Sequence, residues 1–411
     1  MEITKELLQK YARLVVGTGA GVQPGQVVSI LAAVDQHEFA CMVMEECYKA
    51  GAKRVSIDWD CDEETRLTYA YTEEAVLSEV LPWQVSKLQQ AADDLAVRIY
   101  IESSDPDALA GIDPQKLSNV MRARTKVTKP IRDKIDGKYQ WCIVAIPSPV
   151  WAKKCFPDLS EEDAVAALWD AVLKTVRVDA DSDPVQRWQA HTDLLTEKSA
   201  WLNEQAFTSL RYHSANGTDF SVELIPGAVW AGAKERNPVN DVWYVPNMPT
   251  EEIFNSPMAG KCEGTLVATK PLSWNGQLIE NFSITFENGK AVSCKAEKGQ
   301  ETLEQMIAMD ETSCMLGEVA LVPKESPVNQ CGFLFFNTLF DENACCHVAL
   351  GCGFKEVLPG GNDMTVQEAQ AKGINDSCIH VDFMIGSDDL SIDGIRPDGA
   401  AVPVFRNGTW A

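Results

Sequence analysis

His380 and Asp382 stand two residues apart in the apolar run His380-Val381-Asp382-Phe383-Met384. On a strand, side chains at i and i+2 leave the same face, so this run offers an imidazole and a carboxylate side by side. Only five histidines occur in 411 residues, and a second one, His347, also sits in an apolar stretch shortly after Asp341 and Glu342. Glu251 and Glu252 follow a proline-bounded turn in "YVPNMPTEEIFNSP", and Glu318 opens the buried-looking "GEVALVP". Two histidines, two glutamates and an aspartate form a hard-to-borderline donor set suited to Zn²⁺, Co²⁺ or Mn²⁺. Burying such carboxylates without cations is costly, and a pair of metal ions would offset that cost. A blander reading stays open at this level, with satisfied core histidines and Glu318 as an arginine partner or backbone cap.

These residues need elements to carry them. The first half alternates strand-like and helix-like runs: residues 25–33 are β-rich, 38–52 have helical apolar spacing, and 53–60 return to strand after Gly51. Further strands are expected over 94–103 and 139–149, giving a βαβ-type sheet covered by helices. Residues 160–207 read as mainly helical. Beyond them, Asn216-Gly217 and Asn288-Gly289 lie between alternating runs, a hairpin signal. The expected architecture is therefore α/β, with an N-terminal α/β domain over 1–195. A C-terminal mixed α+β domain rich in hairpins follows over 196–411 and carries the metal-ligand candidates.

Composition narrows the partners. A formal charge of −24 repels phosphate backbones, which argues against nucleic acid. No run approaches the roughly 18–20 apolar residues that cross a bilayer, so no membrane partner is expected. The amphipathic start lacks the features of a signal peptide, and thirteen cysteines without a CxxC pair read as reduced thiols in a cytoplasm. Neither GxGxxG after the first strand nor GxSxG occurs, so dinucleotide and serine-hydrolase chemistry have no local support. Asp388, Asp389 and Asp393 read as a solvated turn rather than a calcium loop. His191 and His213 read as structural.

Taken in order, "PNMPTEEIFNSP", "GEVALVP", "LFDENACCHVALG" and "HVDFMIG" resemble the metalloaminopeptidases typified by aminopeptidase T and aminopeptidase S. "PGQVVSI" and "NGTDFSVEL" extend the resemblance over essentially the whole chain. It implies a cytosolic homodimer acting on peptides with a free N-terminus through two divalent ions (Zn, Co, Mn or Mg). The implied ligands are Glu252, Glu318, His347, His380 and Asp382, with Glu318 bridging. Under this reading Glu342 is the leading candidate for the general base, because it precedes His347 and has no ligand assignment; Glu251 is the runner-up. Asp341 is a candidate to orient a ligand histidine. One position departs: the family commonly has a tyrosine where this chain has Phe354, which removes a phenol from any oxyanion-stabilising step. The alternatives are another metal-dependent amidase, or a non-catalytic relative that has lost turnover.

Overall fold

The computed structural model describes residues 3–103, 105–135, 137–274 and 276–411. Residue contacts divide the chain into two compact units. The first runs to Gln189 and takes in Lys234–Pro249; the second is Ala190–Ala233 with Thr250–Ala411. A single cut between 195 and 196 therefore misses the 234–249 excursion. Its physical reason is a strand: Asn247–Met248 pairs in parallel with Trp141–Ala145, completing the first unit's sheet.

That sheet is parallel throughout, in the order Asn247–Met248, Trp141–Ala145, Val97–Glu102, Val27–Ala33, Arg54–Asp60. Parallel neighbours require crossovers, and the helix His37–Lys49 makes the one between Val27–Ala33 and Arg54–Asp60. Each expected strand of this half is present, shortened by one to six residues in all. Val28, Ile30, Val97, Ile99 and Val144 are wholly buried and pack with Leu14, Val43 and Trp188 in one core. Helix Lys5–Leu14 begins with Thr4, whose side chain accepts from the Leu7 N–H, and buries Leu7, Tyr11 and Leu14 on one face.

The second unit is mixed, and richer in antiparallel pairing. Ser209–His213 and Asp219–Leu224 form the hairpin expected around Asn216-Gly217. Gln277–Glu287 and Lys290–Lys298 form the other; Asn288 and Gly289 both have positive φ, +51° and +75°, as a two-residue turn with right-handed strand twist demands. These strands belong to a nine-stranded sheet. A second, five-stranded sheet runs His380–Met384, His347–Gly351, Leu316–Leu321, Ile253–Asn255, Ala231–Gly232, with every adjacent pair antiparallel. Among the described residues no helix is long and apolar enough to cross a membrane.

Candidate metal centre

The five-stranded sheet explains how residues as far apart as Glu318 and Asp382 come to face one another. Its register sets Glu318 opposite Ala349 and Ala349 opposite Asp382; one step along, Ala320 faces His347 and His347 faces Met384. Because directly opposed residues share a face, Glu318, His347, His380 and Asp382 all leave one side. Ala320, Ala349 and Gly351 form a low floor between them. The intervening residues Val319, Leu321, Val348, Leu350, Val381 and Phe383 point the other way and are buried in the second unit's hydrophobic core. Thus one period-two pattern sends apolar side chains to the core and ligand types to the opposite face. Gly351 admits no larger residue: its φ is +100°, and a β-carbon there would lie 2.1 Å from the Ile379 carbonyl oxygen.

Glu252 arrives from the residue just before the strand Ile253–Asn255. Gly232 lets that segment approach closely, since a β-carbon on it would meet the Glu252 carbonyl oxygen at 2.5 Å. The result is two ligand triads, Glu252–Glu318–His347 and Glu318–His380–Asp382, each with donor atoms within 4.8 Å of one another and with Glu318 common to both.

Both imidazoles are oriented from behind. His347 Nδ1 lies 3.2 Å from the Cys345 carbonyl oxygen, and His380 Nδ1 lies 2.7 Å from that of Cys352. A carbonyl only accepts, so Nδ1 carries the proton and Nε2 faces the carboxylates. His347 Nε2 is 3.1 Å from Glu252 Oε2, and His380 Nε2 is 3.1 Å from Glu318 Oε2 and 3.4 Å from Asp382 Oδ1. Asp382 Oδ1 is itself buried and accepts no well-formed hydrogen bond. An imidazole nitrogen this close to carboxylate oxygens needs a positive charge between them, either a proton or a metal ion.

The electrostatics agree. Burial resists protonation of both histidines, yet Glu252 beside His347 and Asp382 beside His380 outweigh it and raise both well above the ordinary imidazole value. Burial pushes Glu318 up to about 7, with Asp382 and Glu252 pressing the same way against His380. Asp382 would also be raised by burial, but His380 and then His347 hold it below the usual carboxylate range. The cluster titrates as a unit, its protons standing where cations would balance the charge. Buried carboxylates facing histidine Nε2 atoms, with one carboxylate oxygen left unsatisfied, fit divalent ions.

Glu342 lies beside this cluster. Burial, then Asp382 and Glu252, holds its carboxyl well above the ordinary range, and it shares a cavity wall with Asp382. Glu251 goes elsewhere: its Oε2 is 3.6 Å from His191 Nε2, and its N–H donates to Asn343 Oδ1 at 2.7 Å. Among the described residues no hydrogen bond or ion pair joins Asp341 to a ligand histidine. Its carboxylate instead accepts from the Phe335 and Asn337 N–H groups at 2.8 and 3.1 Å, and burial pushes it up to about 7 against those bonds. Phe354 packs on His380, ring centroids 4.8 Å apart, and also on Phe254.

Several supporting residues were invisible in the sequence. His191 Nε2 lies 2.8 Å from the Thr250 carbonyl oxygen and so braces the turn that delivers Glu252; its partners lie about sixty residues on, beyond any local pattern. Asn343 holds the same turn, and its place between Glu342 and His347 was the one available hint. Asp310 Oδ2 accepts from Ser377 Oγ and the Cys378 N–H, each at 2.7 Å, anchoring the chain just before His380. The acidic group near the C-terminus is dispersed: Asp388 is exposed, Asp389 accepts from Ser214 Oγ and the Ala215 N–H, and Asp393 lies on the strand Ser391–Ile395 and pairs with Arg406.

A sheet face carrying two carboxylate–imidazole triads around one shared glutamate is the kind of site that metal-dependent hydrolases use. Comparison with known proteins agrees. Residues 4–410 match the family described as Thermophilic metalloprotease (M29), and the chain belongs to that family. It is 42% identical to Aminopeptidase AmpS of Bacillus subtilis (strain 168) over the full length of both chains. It is 40% identical to Aminopeptidase PepS of Streptococcus thermophilus, over 99% of this chain and 98% of that protein. The solved structure of wild-type AmpT from Thermus thermophilus superposes with a TM-score of 0.90 at 36% identity, covering 99% of each chain. The protein is a metallopeptidase of the aminopeptidase class, as the resemblance of its motifs implied.

Proposed function

We propose that this enzyme removes the N-terminal residue from peptides with a free α-amine, using two divalent cations. Glu252, Glu318 and His347 would hold one, Glu318, His380 and Asp382 the other. The observation that carries the reading is the sharing of Glu318 between the two triads. Bound there, the ions would supply Lewis-acid polarisation of the scissile carbonyl and a water made nucleophilic near neutral pH.

The chain's own residues supply the rest. His347 and His380 are kept as Nε2 donors by the Cys345 and Cys352 carbonyls. Glu342 takes a proton from the attacking water and returns it to the departing amine. Its raised affinity for protons suits both halves of that transfer. Glu251, turned toward His191, acts as a brace for Glu252 rather than as the base. Phe354 offers a ring where a phenol would donate, so oxyanion stabilisation would be chemistry for bound cations to supply. The homodimer and the cytoplasmic setting belong to this proposal on the strength of the motif resemblance.

The test combines elemental analysis with turnover of a free-amine dipeptide and its N-acetylated twin, with and without chelator. About two metals per chain and chelator-sensitive cleavage of the free-amine substrate alone are expected. Equal cleavage of the acetylated twin would instead make it a broader amidase; bound metal without turnover would make it a non-catalytic relative.

A further inference from the structure

Asn343 follows Glu342 in the turn Glu342–Ala344 and is wholly buried. A buried amide needs partners for its carbonyl oxygen and for two N–H hydrogens. Its neighbours fix which end of the side chain is which. The Glu251 N–H can only donate, so the atom 2.7 Å from it is Oδ1; the Leu339 carbonyl can only accept, so the atom 2.9 Å from it is Nδ2. One Nδ2 hydrogen therefore goes to Leu339. The other meets Glu342 Oε1 at 3.4 Å, and among the described residues no other hydrogen bond reaches the Glu342 carboxylate. Such contacts are often long before substrate is bound. The backbone is held as well, since the Asn343 carbonyl accepts from the buried Ser326 Oγ at 2.6 Å. Receiving the Glu251 N–H explains an acceptor at this position, which a carboxylate would supply equally well. An amide adds a donor on its other side, and that donor faces a carboxylate whose charged form it favours.

We propose that Asn343 is the positioning residue for the base: Nδ2 holds Glu342 Oε1, so that Oε2 is the oxygen presented to the attacking water. The inference rests on the reading of Glu342 as the base above. The water O–H breaks as the Oε2–H bond forms, and that proton then passes to the nitrogen of the departing amine. Through Oδ1 the same side chain reaches the N–H of Glu251, next to the ligand Glu252. One buried amide thus ties the base to the turn that delivers a metal ligand.

The test is a double-mutant cycle on the full chain, assayed with a free-amine dipeptide at saturating Zn²⁺. Asn343→Asp keeps an acceptor for the Glu251 N–H and turns the donor facing Glu342 into a second acceptor. Its metal content should match wild type and its KM should stay nearly unchanged. Its kcat should fall about tenfold or more, the scale of a hydrogen bond to a charged group. Glu342→Gln alone should lose about 100-fold or more, as removal of a general base does. Added to Glu342→Gln, Asn343→Asp should cause no further loss, because a residue acting through the base then has nothing to position. Asn343→Ala introduces no charge and carries the same cycle if circular dichroism shows that the added carboxylate prevents folding. Wild-type kcat in the Asn343 variant, or equal losses in the two backgrounds, would overturn the proposal and leave Asn343 a structural residue. A fall in kcat that only follows loss of metal would also overturn it, by placing the effect at Glu252. Undiminished kcat in Glu342→Gln would refute Glu342 as the base, and the proposal with it, while the exopeptidase reading stands. Metal-loaded wild-type enzyme that leaves the free-amine dipeptide intact would refute the exopeptidase reading itself.

Discussion

Ala349 is the small residue on which the metal-centre geometry turns. It is wholly buried and stands directly between Glu318 and Asp382 in the sheet register, its side chain on the same face as both. Directly opposed β-carbons lie about 4.5–5.5 Å apart. The methyl group is therefore the floor beneath carboxylates that converge with His380 to within 4.8 Å. Ala349→Val adds two methyl groups into that space. The strand itself should tolerate the change, since valine favours β-structure, but overpacking costs roughly 1–3 kcal/mol. Displacing even one carboxylate from its ligand position should weaken Zn²⁺ binding by about 100-fold or more, given that losing mere supporting partners already costs roughly 10–100-fold. That is about 2.8 kcal/mol at about 1.4 per tenfold. The control is Val348→Ala, one residue away on the core face, where Val348 is also wholly buried. It loses two methyl groups from the core and should cost about 1.5–3 kcal/mol of folding stability with metal affinity nearly unchanged. Zn²⁺ affinity by competition with a colorimetric chelator and urea unfolding of the metal-free proteins separate the two effects. Wild-type affinity and turnover in Ala349→Val would refute the idea that this row of the sheet builds the site.

Glu318→Gln should lose metal and activity together while circular dichroism stays native, since it removes charge from both triads at once; full activity would sink the shared-ligand assignment. Phe354→Tyr places a phenol on a ring already against His380 and should raise kcat; an unchanged kcat would mean that another donor does the work. His191→Ala removes the contact to the Thr250 carbonyl and should weaken metal binding roughly tenfold through Glu252, as read by the same chelator competition, whereas unaltered affinity would make His191 a bystander. Asp310 bears on acid stability. Burial raises its pKa, but hydrogen bonds from Cys378, Ser377 and Thr312 outweigh that and hold it below the usual range. Because the folded value lies below the unfolded one, its stabilisation is present above about pH 4 and is lost as pH falls toward the folded value. Asp310→Asn should therefore cost about 1–3 kcal/mol in urea melts at pH 7, a gap that narrows below about pH 4; a gap independent of pH would contradict the assignment.

Local patterns in the sequence determined much of this protein. Period-two alternation and turn residues marked the strands and both Asn-Gly hairpins, because those signals act between neighbours in the chain. Ligand types were legible for a related reason: a histidine or carboxylate inside an apolar run is costly unless something balances it, so Glu318, His347, His380 and Asp382 stood out. Which of two adjacent glutamates turns inward was left open by the residues themselves and was implied only by the resemblance to the aminopeptidases. Tertiary structure decided what depends on register and on distant partners. The return of residues 234–249 to the parallel sheet needed a pairing across a hundred residues. Ala349 is an unremarkable alanine until cross-strand pairing sets it between two carboxylates. His191 and Glu251 meet through a contact between separate segments that no local spacing encodes. The chain carried the chemistry in its residue types; only folding chose which atoms would face each other.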